Sequence, residues 1–397
     1  MPRKTQTSRI YMDYAAATPC SDIAYAAMER VRDVYANPGA PHTDGLAARK
    51  VLDDSRAVLA QVLAVKPQEI IFTSGATEGN NIALFGVVKA QYQKTGKRGH
   101  VVIAAIEHSS VLAVCRSDEF RMYADVTEVQ PDEHGCIRPS ALLAALTKET
   151  CLISIGWANG EIGTIQPIRA LSQVIRMYEK ETHTAIVFHS DAGQAPWAVS
   201  PQPHGVGLDI VTYASTKLYG PRGVAALFVR RGVLLAPTIF GGSQERGIRP
   251  GTEDPILAAG FAAACVELEA KRTTYFKQLR ELRTEFIKSV QAIDGVLVNG
   301  TYSDQLPHLL NISIPRSDSE YVMYALDHAG IAMSTKSICL LESGDPVSPV
   351  VAALGGEGWR ATNTLRFSWG KETTLEDVTT VVAALVQIVD QYHARTE

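Results

Sequence analysis

Two apolar segments flank a lysine-containing turn in DIVTYASTKLYGPRGVAALFV (residues 209–229). Both segments are short and nearly continuously apolar, which is typical of strands that a sheet buries on both faces. Similar segments occur upstream and alternate with stretches of helical periodicity. We predict strands at 69–73, 100–106, 151–156, 185–190, 209–213 and 224–229, and helices at 77–95, 109–118, 139–147 and 167–181. This alternation predicts an α/β fold with a mostly parallel sheet flanked by helices.

The pattern changes after GGSQERGIRPGTEDP (241–255), a loop rich in glycine, proline and polar residues. Beyond this loop we predict a long helical stretch at 256–293, short strands at 308–314 and 364–369, and a final helix. Thr373 and Glu376 have the spacing of a capping box in front of that helix. The sequence therefore predicts two domains, a large one at 18–256 and a smaller α+β one formed by 1–17 and 257–397.

The composition is that of an ordinary globular protein, since 46% of the 397 residues are hydrophobic and 20% are charged. These values exclude a disordered, collagen-like or coiled-coil chain. The net charge is −4 and the basic residues are dispersed, so we expect no nucleic acid partner. The longest uncharged apolar run, 256–266, is shorter than the roughly 20 residues that cross a bilayer, so we expect no membrane span.

Two further features bear on the location of the protein and on metals. Residues 1–19 include basic side chains but no apolar segment, so we expect neither a secretory signal nor a transit peptide and predict a cytoplasmic protein. The six cysteines form no CxxC pair, and we therefore expect neither a metal site nor a disulfide framework.

Polar residues directly follow four of the predicted strands, and ligands of α/β sheets bind at such strand ends. TSGATEGNN (73–81) leads from a strand into a helix, whose free N–H groups either hold an anion or are simply capped. Asp191 ends another strand, where it either pairs with a cation or caps the next helix. His108 either stacks on a ligand ring and moves protons or is a hydrogen-bonded structural histidine.

Lys217 follows the strand at 209–213 and lies between hydroxyl residues. A lysine is most often a solvated surface group, and that alternative applies here too. However, an amine, a strand-end carboxylate and an anion-binding helix start together match a site for pyridoxal 5'-phosphate. In such a site the amine forms a Schiff base, the carboxylate keeps the pyridine nitrogen protonated, and the helix start binds the phosphate.

Several motifs occur in a fixed order along nearly the whole chain. They are YMDYAAATP (11–19), NPGAPH (37–42), TSGATEGNN (73–81), EHSSV (107–111), NGEIGTIQP (159–167), TKLYGPRG (216–223), GGSQERGIRPGTEDP (241–255) and LRFSWG (365–370). With this set the sequence resembles the cysteine desulfurases of the class V aminotransferase family. The resemblance implies a fold type I pyridoxal phosphate-dependent transferase that forms a homodimer. It also implies conversion of L-cysteine to L-alanine and sulfur transfer, through a persulfide, to an acceptor protein such as an iron–sulfur scaffold.

The resemblance also assigns roles to individual residues. For the cofactor, it implies covalent attachment to Lys217, Asp191 at the pyridinium nitrogen, Gln194 at the ring oxygen, His108 stacked on the ring, Ala76, Thr77, Ser215 and Thr216 at the phosphate, and Thr252 from the partner subunit. For the substrate, it implies contacts with Arg366, Asn37 and Asn159. A guanidinium suits the substrate carboxylate, although an exposed strand position is the alternative for Arg366.

The nucleophile that the resemblance implies is Cys339, in MSTKSICLLESGDP (333–346). A nearby ammonium such as that of Lys336 lowers the pKa of a thiol, whereas the apolar neighbours Ile338 and Leu340 favour a buried, inert thiol. The chain departs from the family pattern elsewhere, at positions 160, 214 and 216. Gly160 stands in place of an asparagine, Ala214 in place of a serine and Thr216 in place of a histidine. Two alternatives therefore remain, namely another class V enzyme, such as a selenocysteine lyase or an aminotransferase, and a non-catalytic family member.

Overall fold

The computed structural model describes residues 9–300, 303–335 and 347–396. Its helices are α1 (Asp22–Glu29), α2 (Thr43–Leu63), α3 (Ala76–Thr95), α4 (Ser109–Arg116), α5 (Asp118–Arg121), α6 (Pro139–Ala145), α7 (Ile168–Thr182), α8 (Pro255–Val290), α9 (Ser319–His328), α10 (Pro349–Ala353), α11 (Trp359–Thr362) and α12 (Leu375–Thr396). Its strands are β1 (Ile10–Tyr11), β2 (Ile70–Thr73), β3 (Gly99–Ala104), β4 (Ala124–Val129), β5 (Thr150–Ser154), β6 (Val187–Asp191), β7 (Ile210–Ala214), β8 (Ala225–Val229), β9 (Leu297–Val298), β10 (Leu309–Ser313), β11 (Ile331–Ala332) and β12 (Thr364–Ser368).

The large sheet has seven strands in the order β2-β8-β7-β6-β5-β3-β4. Strand β8 runs antiparallel to both of its neighbours, and the remaining pairs are parallel. Every residue of the central strands β5 and β7 is buried, in agreement with their predominantly apolar, uncharged sequences. The predicted α/β fold with a mostly parallel sheet is confirmed.

The edge strand β4 is the one strand of this sheet that the sequence analysis does not predict. Its sequence ADVTEV alternates between apolar and polar residues, and its central residues are partly exposed. Strand β4 pairs with β3 alone, so one of its sides faces no further strand. A search for uninterrupted apolar segments therefore passes over it.

The C-terminal part contains a three-stranded antiparallel sheet in the order β12-β10-β9, and β1 pairs in parallel with β11. Helix α8 begins after Asp254, whose side chain accepts hydrogen bonds from the first N–H groups of the helix. This helix packs against α1, α2 and α12 and so connects the two parts of the chain. The domain boundaries themselves stay a prediction.

The start of α12 corrects one prediction. Thr374 Oγ1 accepts from the N–H of Asp377, and the Asp377 carboxylate accepts from the N–H of Thr374. Thr373 instead accepts from the N–H of Gly370. The capping box predicted at Thr373 and Glu376 is therefore wrong by one residue, because aspartate can complete the box as glutamate does.

Across the described ranges, no helix combines the length and the apolar character needed to cross a membrane.

Candidate active site

A cavity of about 650 Å³ opens where β2, β3, β5, β6 and β7 reach their carboxyl ends. The loops and helices that follow these strands supply most of its wall. It brings together ten residues that the sequence analysis selected: Ala76, Thr77, His108, Asn159, Asp191, Gln194, Ser215, Thr216, Lys217 and Arg366. The strands hold these positions close together although they lie far apart in the sequence.

The predicted anion-binding segment forms the start of α3. Gly75 precedes the helix in an extended conformation, and the first helical residues, Ala76 and Thr77, line the cavity. A helix of this length directs free N–H groups and the positive end of its dipole at a ligand. Glu78 already accepts a hydrogen bond from the N–H of Ser74 and pairs with Arg249 at 3.2 Å. No side chain among the described residues caps α3 at its N-cap, Gly75, so the first N–H groups of the helix are open to an anion and the alternative that they are simply capped is wrong.

Asp191, the last residue of β6, and Lys217, just beyond the neighbouring strand β7, both line the cavity. The Asp191 carboxylate accepts from the N–H of Gly193 at 2.9 Å and from Asn80 Nδ2 at 2.7 Å. Lys217 Nζ donates to the carbonyl oxygens of Ala15, at 2.8 Å, and Ala16. A solvated surface position for Lys217 is therefore wrong, because this amine lies against the main chain inside the cavity.

His108 is joined to Asp191 by a chain of side-chain hydrogen bonds. Its Nδ1 accepts from the N–H of Ser110 at 3.1 Å and lies 2.8 Å from Ser110 Oγ. Asn80 Nδ2 in turn donates to Ser110 Oγ at 2.8 Å and to Asp191. Because Nδ1 accepts, neutral His108 carries its proton on Nε2. Neither Asn80 nor Ser110 is among the site residues that were predicted from the sequence.

Arg366 is almost fully buried, with 4% of its surface exposed, so the exposed-strand alternative is wrong. Its Nη2 lies 2.9 Å from Asp13 Oδ1, and its Nη1 donates to the carbonyl oxygen of Gly160 at 3.1 Å. Among the described residues, Arg366 Nε has no hydrogen-bond partner. Burial raises the pKa of Asp13, although the charge of Arg366 opposes that shift. Arg366 therefore retains hydrogen-bonding capacity for an anion at the cavity wall.

Three residues that were predicted to bind the substrate or the cofactor, Asn37, Asn159 and Thr252, either lie outside the cavity or hydrogen-bond mainly to the backbone. The Asn159 side chain accepts from the N–H groups of Glu161 and Ile162 and donates to the carbonyl of Ile106, so it mainly holds the turn. Asn37 and Thr252 are exposed and do not line the cavity within the described part of the chain.

Cys339 lies outside the described residues. However, Ser334 and Pro349, on either side of the undescribed segment, lie next to Arg366 and in the cavity wall.

Glu107 is a buried acid in the wall that the sequence analysis did not select. Its Oε1 accepts from the N–H of Gly156 at 2.7 Å, and Oε2 has no partner among the described residues. Burial raises the pKa of Glu107 to about 8, and the negative charge of Asp191 adds to this shift. The side chain is therefore largely protonated at neutral pH.

This shift predicts that Glu107→Gln changes the pH dependence of stability. The folded protein binds more protons at Glu107 than the unfolded chain does between about pH 4.5 and 8. Stability is therefore lost as the pH rises through that window, by up to about 1.4 kcal/mol per pH unit. We expect Glu107→Gln to match the wild type near pH 5 and to unfold at a higher temperature near pH 8.5. Thermal unfolding at both pH values measures this, and equal melting temperatures at pH 8.5 would contradict it.

Comparisons with known proteins identify the family of this chain. The family described as Aminotransferase class-V matches residues 10–381. The chain is similar to a cysteine desulfurase IscS from Dictyoglomus turgidum, with 36% identity over 96% of this chain and 95% of that protein. A solved NifS-like protein is similar at 28% identity and a TM-score of 0.88, over 96% of this chain and 100% of that one. SspA, solved in complex with cysteine, is similar at 30% identity and a TM-score of 0.77, over 91% and 98% of the two chains. These likenesses confirm the predicted family and fold.

Proposed function

We propose that this chain, which belongs to the class-V aminotransferase family, is a pyridoxal phosphate-dependent cysteine desulfurase. It converts L-cysteine to L-alanine and leaves the sulfur as a persulfide on Cys339. The observation that carries the proposal is the shared cavity, which Lys217, Asp191 and Arg366 all line. An amine, a carboxylate and a guanidinium are the groups that a cofactor-bound amino acid requires.

The residues present fit pyridoxal phosphate. Lys217 Nζ provides the amine for covalent attachment, and the Asp191 carboxylate provides the partner for the pyridine nitrogen. The start of α3 provides N–H groups for the phosphate, and Ser215 and Thr216 lie in the same wall. Among the described residues, the buried Ser215 hydroxyl has no hydrogen-bond partner. Thr216 carries a hydroxyl where the family pattern has a histidine, so the anion site keeps a hydrogen-bonding group.

The chemistry divides between the cofactor and the chain. When bound, pyridoxal phosphate supplies an electron sink for the α-carbon of an amino acid. Arg366 orients the substrate by its carboxylate, and Lys217 Nζ, once released from the cofactor, takes the proton from the α-carbon. The Cys339 thiolate attacks the substrate sulfur, so that an S–S bond forms while the substrate C–S bond breaks. Protonation of the remaining carbon gives the methyl group of alanine.

Two observations support Cys339 as the nucleophile. Burial raises the pKa of each of the cysteines that the structure describes, which are Cys20, Cys115, Cys136, Cys151 and Cys265. A raised pKa lowers the thiolate fraction and therefore disfavours these residues as nucleophiles. In addition, the backbone N–H and carbonyl of Ser334 pair with those of Arg366, and Pro349 lines the cavity. The described residues that flank positions 336–346 on either side therefore lie beside the site.

Arg366→Lys tests the proposed role of the guanidinium. Lysine keeps the charge near Asp13 but loses the two-pronged geometry that fits a carboxylate. We expect kcat/KM for L-cysteine to fall by about 10- to 100-fold, which corresponds to roughly 1.5–3 kcal/mol. Steady-state alanine production measures this, with the exposed Arg32→Lys as the matched control. Unchanged kcat/KM in Arg366→Lys would contradict the role.

We further propose a homodimer, a protein acceptor for the sulfur, such as an iron–sulfur scaffold, and a cytoplasmic location. Tyr35 and Phe240 are 88% and 86% exposed, which is unusual for large apolar side chains. Asn37 lies near Tyr35 in the sequence, and Thr252 follows Phe240 by a short loop. These exposed segments are suited to an interface through which one subunit completes the site of the other. Light scattering on the purified protein measures the mass, and a monomer would contradict the dimer.

The activity is tested with cofactor-loaded protein, L-cysteine and a dithiol reductant. We expect equal amounts of alanine and sulfide, with a persulfide on Cys339 by mass spectrometry when the reductant is left out. Alanine is the decisive product, because transamination would instead require a keto acid acceptor and would release no sulfide. Cofactor binding without turnover of L-cysteine would contradict the proposal.

A further inference from the structure

The side-chain amide of Gln194 is held at both of its ends. Its Nε2 donates to the carbonyl oxygen of Ala15 at 2.9 Å, and its Oε1 lies 3.0 Å from His308 Nε2. A carbonyl oxygen can only accept a hydrogen bond, so the Ala15 oxygen requires the nitrogen of the amide on its side. The amide oxygen is therefore directed at His308, which must donate.

His308 can satisfy this requirement in only one form. The residue is 2% exposed, and burial lowers the pKa of its imidazole to about 3, so the ring is neutral. Donation to Gln194 places its single proton on Nε2. Its Nδ1 has no hydrogen-bond partner among the described residues, in agreement with an unprotonated nitrogen there.

Trp197 holds the His308 ring in place and links it to the backbone of Lys217. The indole and imidazole centroids lie 5.2 Å apart, and Trp197 Nε1 donates to the carbonyl oxygen of Lys217 at 2.8 Å. The Ala15 oxygen accepts from both Gln194 and Lys217. One connected set of buried groups therefore fixes both the amine and the amide in the cavity wall.

We infer that His308 is a positioning residue, which holds the Gln194 amide so that its second N–H points to the cofactor ring oxygen. This inference rests on the proposed function and adds to it a residue that does not itself line the cavity. The Gln194 nitrogen carries two hydrogens, and Ala15 takes one of them. The other is available to an acceptor in the cavity. With the amide reversed, an oxygen would face the ionised ring oxygen and repel it.

A double-mutant cycle separates positioning from simple packing. The variants are His308→Leu, Gln194→Ala and their combination, and the readout is the dissociation constant of the apoprotein for pyridoxal phosphate. We expect His308→Leu to weaken cofactor binding by about five- to tenfold, because a lost orienting hydrogen bond has roughly that effect. In the Gln194→Ala background the same substitution should have no further effect, because there is no amide left to orient.

His308→Gln is the matched control, since its side-chain amide can donate from nearly the position of the imidazole Nε2. We expect it to restore most of the affinity. His308→Leu should also move the pH titration of the visible cofactor band upward, because the ionised ring oxygen loses a donor, whereas His308→Gln should not. Equal losses for His308→Leu in both backgrounds would overturn the inference and assign His308 to packing against Trp197. A wild-type protein that binds no cofactor would overturn the proposed function as well.

Discussion

Lys217→Ala is expected to reduce alanine formation from L-cysteine by at least about a thousandfold. Lys217 lies in the cavity wall, where its amine is held by the carbonyl oxygens of Ala15 and Ala16. The proposal gives this amine two tasks, covalent attachment of the cofactor and removal of the α-proton. Alanine cannot perform either task. Turnover and the visible spectrum of the cofactor-loaded variant measure the loss.

Lys50→Ala is the matched control, because Lys50 is exposed and pairs with Asp54 on the surface of α2. We expect this variant to keep the spectrum and the activity of the wild type. Addition of a small primary amine should restore part of the activity of Lys217→Ala, since the amine replaces the missing group. Full activity of Lys217→Ala without such an addition would contradict the assignment.

The fold could be predicted where burial dictates the sequence. Strands β5 and β7 are buried on both faces and contain no charged residue, so their predominantly apolar sequences indicate their positions. Strand β4 could not be found in this way, because its alternating sequence reflects its place at the sheet edge. Helix α2 was also missed, because Gly45, Ala48 and Ser55 occupy part of its buried face and few large apolar residues mark the helical period.

The site could be predicted for residues that follow a strand directly. Asp191 and Lys217 end strands β6 and β7 or lie just beyond them, so the sheet brings them together. Asp13, Asn80 and Ser110 act through partners that are distant in the sequence. Each lies inside a motif already quoted, yet the motif does not tell which of its polar residues hydrogen-bond to the side chains that line the cavity. His308 was missed because its side chain hydrogen-bonds to Gln194, which is 114 residues away in the sequence.

Replacement of Cys339 distinguishes the binding of cofactor and L-cysteine from the cleavage of the C–S bond. We expect Cys339→Ser to bind the cofactor and L-cysteine normally, as judged by the visible spectrum, but to form alanine at least about a thousandfold more slowly. A hydroxyl at neutral pH is a far weaker nucleophile toward sulfur than a thiolate, so the C–S bond of the substrate stays intact. Rapid-quench measurement of alanine over the first turnover tests this directly.

Cys136→Ser is the control, because Cys136 is partly exposed but has its pKa raised by burial and by Asp132. It should form alanine at the rate of the wild type. If Cys339→Ser made one equivalent of alanine at the normal rate, another group would have to accept the sulfur. The proposed role of Cys339 as the nucleophile would then be wrong. Loss of alanine in Cys339→Ser alone would instead establish that the bond to sulfur forms before alanine is released.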